Sequence, residues 1–436
     1  MDYQKLFDYG KKMGFDDLEI GIGHNQSLSI SLFEGKVEKN VAIDEKKFLL
    51  KGLLNDKMAQ ISFEDENIDE IELIKKLKEN VESLTTDEKY EIFAGSEAYP
   101  DSINRSGGFK NITSLEKIEL LKSLEKEILS LDERIKAVPH CSYEEDSSVV
   151  QIINSKGLNL EKTGEYCFLV AQAVAKQGEE TQDAFEVKAV LNYKDFNVKE
   201  IAKKLVDQAI AMLGAKPIKS GQYPIIFEKK AMSSLFGAFS SLFNGEAAIK
   251  KLTSLIGKEG QEIMNKNINI IEDPLDINYI SYQPFDDEGV ATYKKYIVKE
   301  GIFTSFIHNL KTAKYFNTQT TGNGYNSSVG FSNVYIEAGS NSFDDIISGT
   351  EEGLLITSMS GLHAGVNAIS GDFSLQSSGF YIKKGKIEKP VTLIVVSGNF
   401  LKMMNNIEEI GSDLELRYNG ISAPSIKVKS LPVSGE

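Results

Sequence analysis

The sequence predicts an α+β protein of two domains: an antiparallel sheet with packed helices over residues 1–220, then a β-rich, barrel-like or sandwich-like domain over residues 221–436 that holds one buried helix. Three observations carry this prediction. Short runs of alternating apolar and polar residues recur between Gly, Asn and Asp turns. Capping signatures open helices between those runs. The stretch GAKPIKSGQYP, residues 214–224, concentrates Gly, Pro, Ser and Lys between two strongly patterned segments, which places the domain boundary at about residue 220. A chain of 436 residues also exceeds one ordinary core, since domains usually run about 100–200 residues.

Taken in order, the chain opens with an amphipathic helix near residues 3–13. The runs LEIGIG, SLSISLF, KFLLKGLL and AQISFE follow, broken at Gly35 and Asn55, as in an antiparallel meander. A helix is expected at about residues 68–84. A second starts at Thr113, whose hydroxyl and Glu116 form a capping box; Leu115, Ile118, Leu121, Leu124, Ile128 and Leu131 then recur at helical spacing. Strands return over residues 148–193, and a helix capped by Asn197 with Glu200 runs to about Leu213.

The second half begins with the apolar strand around Ile225. A largely apolar helical stretch follows, residues 231–257, with Leu235, Phe236, Phe239, Leu242 and Phe243 around much of its circumference, which predicts burial. Beyond Lys266 the pattern turns to strands: NINIIED, INYISYQPF, KKYIVKEGIFTSFI, VYIEAG, GLLITSM, GFYIKKGKIEKPVTLIVVSG and SIKVKSLPV. No repeat of fixed period appears, which argues against a solenoid or propeller.

Composition narrows the function classes. Hydrophobic residues make up 41% and no run approaches the roughly 18 apolar residues of a membrane span. The N-terminus lacks the basic and apolar regions of an export signal, so the protein is expected in the cytoplasm. The net charge of −15 lies mainly on the first half and repels a phosphate backbone, which argues against nucleic acid. The two cysteines, Cys141 and Cys167, make no disulfide scaffold and no CxxC. The four histidines His24, His140, His308 and His363 stand in no HExxH, HExxxH or HxxEH, and GxSxG and GxxxxGK[ST] are absent. What remains is the acidic triplet Asp286, Asp287 and Glu288 in QPFDDEGV, suited either to a divalent cation or to a solvated loop. The small-residue segments TTGNGYNSS and SGLHAGVNAISGDFSLQSSGF suit a backbone that passes close to a ligand.

These blocks carry a family resemblance. YPIIF followed by a buried helix, PFDDEGVATYKKYIVKEGIFTSFIHNLKTAKYFNTQTTGNGY, and GVNAISGDFSLQSSGFYIKKGKIEKPVTLIVVSGNFLKMMNNIEEIGSD resemble the TldD/PmbA family, peptidase group U62, also labelled modulators of DNA gyrase. The linker and EGKVEKN…KGLL extend the similarity over nearly the whole chain. The resemblance implies two subunit types. The TldD type is a zinc metallopeptidase whose helix carries HExxxH, with a C-terminal Cys completing the site. By spacing, that window falls here on Gly237, Ala238, Phe239, Ser240, Ser241 and Leu242, and no Cys follows Cys167. Both imidazoles and the carboxylate are lost, and with them metal affinity and a general base.

The resemblance therefore implies the TldE/PmbA type: a pseudoenzyme without a cofactor of its own, paired with a zinc-bearing TldD-like subunit in a cytoplasmic metalloprotease for peptides or unfolded proteins, and a homodimer when isolated. Its peptide surface is expected at Phe285, Asp286, Asp287, Glu288 and Gly289, at Thr321, Gly322, Asn323 and Gly324, and at His363, Gly365 and Asn367, by main-chain hydrogen bonding to an extended chain. Two alternatives stand beside it. One is an independently active hydrolase with a non-standard metal site drawn from Asp286, Asp287, Glu288 or His363. The other, from the gyrase label, is a regulator of a nucleic-acid enzyme.

Overall fold

The computed structural model describes residues 1–86 and 88–436. In the first half, helix α1 (Tyr3–Lys12) leads into strands β1 (Asp17–Phe33), β2 (Lys36–Leu54) and β3 (Lys57–Phe63). Helices α2 (Glu70–Ser83) and α3 (Ser114–Leu131), strands β4 (Ile135–Asn154), β5 (Asn159–Gln177) and β6 (Glu180–Val190), and helix α4 (Val198–Ala211) complete it. The six strands form one antiparallel sheet in the order β3-β2-β1-β4-β5-β6. Its first two hairpins close through two-residue turns, Glu34-Gly35 and Asn55-Asp56, with φ positive at all four residues, the geometry that matches strand twist.

All four helices lie on one face of this sheet, in two clusters. Leu6 of α1 and Ile74 and Leu77 of α2 cover Ile20, Ile22, Phe48 and Leu50; Leu121, Leu124 and Ile128 of α3 and Leu205 of α4 cover Ile30, Leu32, Tyr143 and Leu169. The buried apolar residues of β1 are thus Leu18, Ile20, Ile22, Ile30 and Leu32, one pleat face, while Gly21, Gly23, Asn25, Ser27 and Ser29 point away from the helices.

In the second half, β7 (Gly221–Phe227) precedes α5 (Lys229–Phe239) and α6 (Gly245–Ile249). Strands β8 (Ile270–Glu272), β9 (Lys295–Lys299) and β10 (Ile302–Phe303), helix α7 (Leu310–Phe316), strands β11 (Gly324–Tyr325), β12 (Ser328–Val329) and β13 (Val334–Ile336), and helix α8 (Phe343–Ser348) follow. The chain ends with β14 (Glu352–Ser360), β15 (Val366–Asn367), β16 (Asp372–Lys383), β17 (Lys386–Asn399), helix α9 (Phe400–Asn405), β18 (Ile407–Ile410), β19 (Ile421–Ser422) and β20 (Ile426–Ser434). Strand β14 pairs with both β7 and β16, so the path β14-β7-β20-β17-β16 closes on itself as a five-stranded barrel, with β15 and β18 attached. A second sheet runs β10-β9-β8-β13-β19. Ile225 and Phe227 of β7 face the main core with α5, while Ile226 faces α8 through Ile346 and Ile347, so β7 is apolar on both sides.

The α+β architecture with a barrel-like second half follows the sequence pattern, and several elements depart from it. The capping box at Thr113 is present, but Leu115 is 73% exposed and Leu131 43%, and Lys117 and Glu125 are buried in their place. Lys117 reaches Glu145 at 2.6 Å and Glu125 accepts from Gly35 N at 3.0 Å, so these polar residues replace two expected apolar contacts. Strand β4 begins at Ile135, well before Ser148, because two bulges near Pro139 disturb the alternation that marks a strand. The helical stretch 231–257 is broken: α5 stops at Phe239, a 3-10 turn follows, and Asn244 caps the short α6 by accepting from Glu246 N and Ala247 N. The segment INYISYQPF forms no strand. Its carbonyls at Ile277 and Tyr279, with that of Asp276 just before it, are taken by the Arg105 guanidinium in place of a ladder, and Ile277 is 63% exposed.

Candidate functional site

The acidic loop 285–289 and the small-residue segment 321–324 are brought together at the junction of the two halves. Phe285 and Ala291 bridge across a tight loop, and Asp286 turns inward to hold it. Its Oδ1 accepts from Glu288 N (3.0 Å) and Val290 N (2.9 Å), and its Oδ2 accepts from Gly324 N (2.8 Å). Asp287 N donates to Gly324 O at 2.9 Å, and Asp287 Oδ2 accepts from Asn326 N. Glu288 Oε2 accepts from Leu310 N at the start of α7. Asp286 is fully buried with its oxygens committed to main-chain donors, so it works as a structural clasp.

The first half contributes to the same place. Lys162 of β5 donates to Phe285 O (2.9 Å), lies 3.6 Å from Asp287 and sits over the Phe285 ring. Tyr99 donates to Gly289 O at 2.7 Å. Phe285 packs with Ile152, Leu158, Leu160 and Tyr99. Beyond this contact a cleft of about 1060 Å³ opens between the halves, walled by Glu19, Lys51 and Tyr90 on one side and by Asp287, Glu288 and Leu310 on the other. Lys51 and Glu19 pair at 2.9 Å within it.

Burial sets the electrostatics. It pushes the Asp286 carboxyl up to about 6 against the pull of its three amide donors. Glu288 rises to about 7, first through burial and then through the neighbouring Asp286 charge. Burial pulls Lys162 down, and His308 falls to about 4 for the same reason, its Nδ1 3.1 Å from Thr312 Oγ1. A cleft carboxyl that titrates near neutrality marks a functional-site candidate, and Glu288 is that group.

Segment 321–324 is equally tied down. His308 N donates to Thr321 Oγ1, which donates to Asn323 Oδ1 at 2.7 Å; Asn323 Nδ2 reaches both oxygens of the fully buried Glu272, itself paired with Lys295. Gly322 has φ +68° and an added Cβ would lie 2.9 Å from Ala291 O; at Gly324 a Cβ would lie 2.6 Å from the Glu288 carboxyl. His363, Gly365 and Asn367 lie elsewhere, on the barrel edge around β15. Gly365 O accepts from Ser374 N, Asn367 Oδ1 accepts from Ile369 N and Ser370 N, and His363 is exposed. Among the described residues no hydrogen bond joins this segment to either of the other two.

The partners Glu19, Lys51, Lys162 and Glu272 escaped the sequence reading because each lies far along the chain from the loop it serves. Lys51 follows the apolar run Phe48-Leu49-Leu50 and Glu272 follows Ile270-Ile271, a charge beside apolar neighbours, whereas Lys162 sits among Glu161 and Glu165 and gives no such signal.

The HExxxH window occupies the last turn of α5 and the 3-10 turn after it. Gly237 faces the side chain of Ile421, Phe239 stacks on Phe400 at 4.6 Å, and Leu242 is fully buried. These residues offer no imidazole and no carboxylate, and a zinc ion does not fit them. Among the described residues no group of three or more His, Cys, Asp or Glu is placed to hold a metal ion. Ser422 and Ser425, also fully buried, are bonded to Arg417 N and to Asp413 and Lys229 N.

Comparison with known proteins adds the family. Residues 107–213 match the model of the PmbA/TldA metallopeptidase central domain, and residues 220–435 that of the C-terminal domain. The chain belongs to the PmbA/TldD metallopeptidase family. A metalloprotease PmbA homologue of Buchnera aphidicola is 32% identical over 263 residues, 60% of this chain and 57% of that protein, so the match spans little more than half of that relative. A Thermotoga maritima structure described as a modulator of a DNA gyrase superposes with a TM-score of 0.93 at 28% identity, covering 99% of both chains. TldE from Thermococcus kodakarensis shares the fold, with a TM-score of 0.91 at 23% identity over 99% of this chain and 100% of that one. Among the described residues no helix is long and apolar enough to cross a membrane.

Proposed function

We propose that this PmbA/TldD family chain is the non-catalytic, TldE-like subunit of a two-component metalloprotease: it binds a peptide or unfolded-protein substrate and depends on a TldD-like subunit for zinc and for bond cleavage. The observation that carries the reading is the chemistry at Gly237, Ala238 and Leu242, where a ligand-bearing helix of this family needs His, Glu and His. The residues that stand there pack, so the helix serves the core. The cleft beside Glu288 supports the substrate half of the reading, with room for an extended chain and a carboxyl raised toward neutrality on its wall.

Mixing is the test. This chain is combined with a family member that carries HExxxH, and complex formation and peptide hydrolysis are measured together. The reading expects a stable complex that cleaves peptide, and it expects Gly324→Val or Gly322→Val to weaken peptide binding. A mixture that neither associates nor gains hydrolysis through this chain refutes it, as does unchanged binding in both glycine variants.

The −15 charge and the commitment of Asp286 and Asp287 to main-chain amides favour this reading over a nucleic-acid regulator and over a metal site on the acidic triplet.

A further inference from the structure

On the wall of the cleft between the halves, Glu288 is a half-buried carboxyl that no ion pair reaches among the described residues. Its Oε2 accepts from Leu310 N at 2.8 Å. Its Oε1 has no hydrogen-bond partner among the described residues and is not one of the partnerless atoms sealed from solvent, so it opens on the cleft. The cations of the same region are engaged elsewhere: Lys51 with Glu19 (2.9 Å), Lys162 with Phe285 O (2.9 Å) and Lys311 with Glu88 (2.8 Å). The facing wall is bare where Gly21 and Gly23 of β1 line it. A Cβ added at Gly23 would meet nothing within 4 Å, and one at Gly21 nothing nearer than 3.9 Å, so a chain can pass close to the main chain there.

Resting on the peptide-binding half of the proposed function, we propose that Glu288 Oε1 receives a primary ammonium of the bound chain, its amino terminus or a lysine side chain, while adjoining residues lie over Gly21 and Gly23. One free oxygen selects the cation. A guanidinium is matched by two carboxylate oxygens side by side, and here the second is committed to Leu310 N. A divalent metal ion asks for about six oxygens, and those of Asp286 and Oδ2 of Asp287 are held by main-chain amides. An ammonium is a compact donor that a single oxygen can take.

The pairing also answers the chemistry of the empty site. A carboxylate taken partly out of water without a counter-ion is destabilised, which is what raises Glu288 toward neutrality, and an arriving ammonium supplies the missing charge. The cleft then favours chains that carry a positive charge near the residues it holds.

Fluorescence anisotropy with the full chain tests this at pH 7.5, where Glu288 and both kinds of ammonium are largely ionised. The probes are peptides of about eight Gly, Ala and Ser residues labelled at the carboxyl end. One has a free amino terminus, one is acetylated, one is acetylated with a central Lys, and one is acetylated with Arg in that place. At least one ammonium peptide is expected to bind about tenfold tighter than the neutral acetylated one, the arginine peptide to gain less than that, and the preference to vanish in Glu288→Gln. Whichever of the two ammonium peptides gains identifies the source of the group. Equal binding of neutral and ammonium peptides overturns the proposal and leaves peptide binding itself standing, whereas no binding of any probe overturns both. A preference that persists in Glu288→Gln, or an arginine peptide that matches the better ammonium peptide, overturns the proposal as well.

Discussion

Glu288→Gln probes the electrostatic account of the cleft directly. The glutamine keeps an oxygen to accept from Leu310 N and removes the ionisable proton. In the folded chain the Glu288 carboxyl titrates at about 7, against 4.5 when solvated, a difference that disfavours its charged form by about 3 kcal/mol. The sign follows from linkage. Between those two values the folded state holds a proton that the unfolded state has released, so this group's contribution to stability falls as pH rises from about 4.5 to about 7 and is constant beyond both ends. Asp286, raised to about 6, adds a slope of the same sign over a lower window. Urea unfolding of wild type and variant at pH 4.5, 6 and 8 is the assay. Relative to its value at pH 4.5, the variant's stability should gain on wild type by up to about 3 kcal/mol at pH 8, with most of the change complete by pH 7. Parallel stability profiles from pH 4.5 to 8 would refute the reasoning, and a variant that loses ground as pH rises would reverse its sign.

Other expectations concern the frame that holds the site. Lys117→Ala strands Glu145 beside the buried Tyr143 and should cost about 3–5 kcal/mol in denaturant unfolding, while Lys117→Met with Glu145→Gln should recover most of it. Gly322→Ala forces a side chain into the left-handed region against Ala291 O, and calorimetry should show a loss of about 1–3 kcal/mol. Thr113→Ala removes one arm of the capping box and should cost about 1 kcal/mol, with hydrogen exchange rising first in the opening turn of α3.

Much of the frame was legible because it follows from local rules. The meander with its breaks at Gly35 and Asn55, the caps at Thr113 and Asn197, and the burial of Leu235, Phe236 and Phe239 depend on residues a few positions apart. What was hidden depends on distance. Lys117 and Glu125 break the apolar stripe of α3 because their partners come from β4 and from the Glu34-Gly35 turn. INYISYQPF has the alternation of a strand and lacks one because Arg105, remote in sequence, satisfies its carbonyls. In the candidate site the pairing of Asp286 with Gly324 could not be read, since nothing local records which loop an acidic triplet will clasp. His363 and Asn367 belong to a barrel edge, a placement that depends on how β14 and β16 close the ring.

The central claim is that this member of a metallopeptidase family holds no metal of its own and cleaves nothing alone. Zinc content and peptide hydrolysis, measured on the same preparation of the purified full chain before and after an HExxxH-bearing subunit is added, test it most directly. The account predicts substoichiometric zinc and no cleavage before addition, with both appearing in the complex. Stoichiometric zinc together with hydrolysis by this chain alone would contradict it.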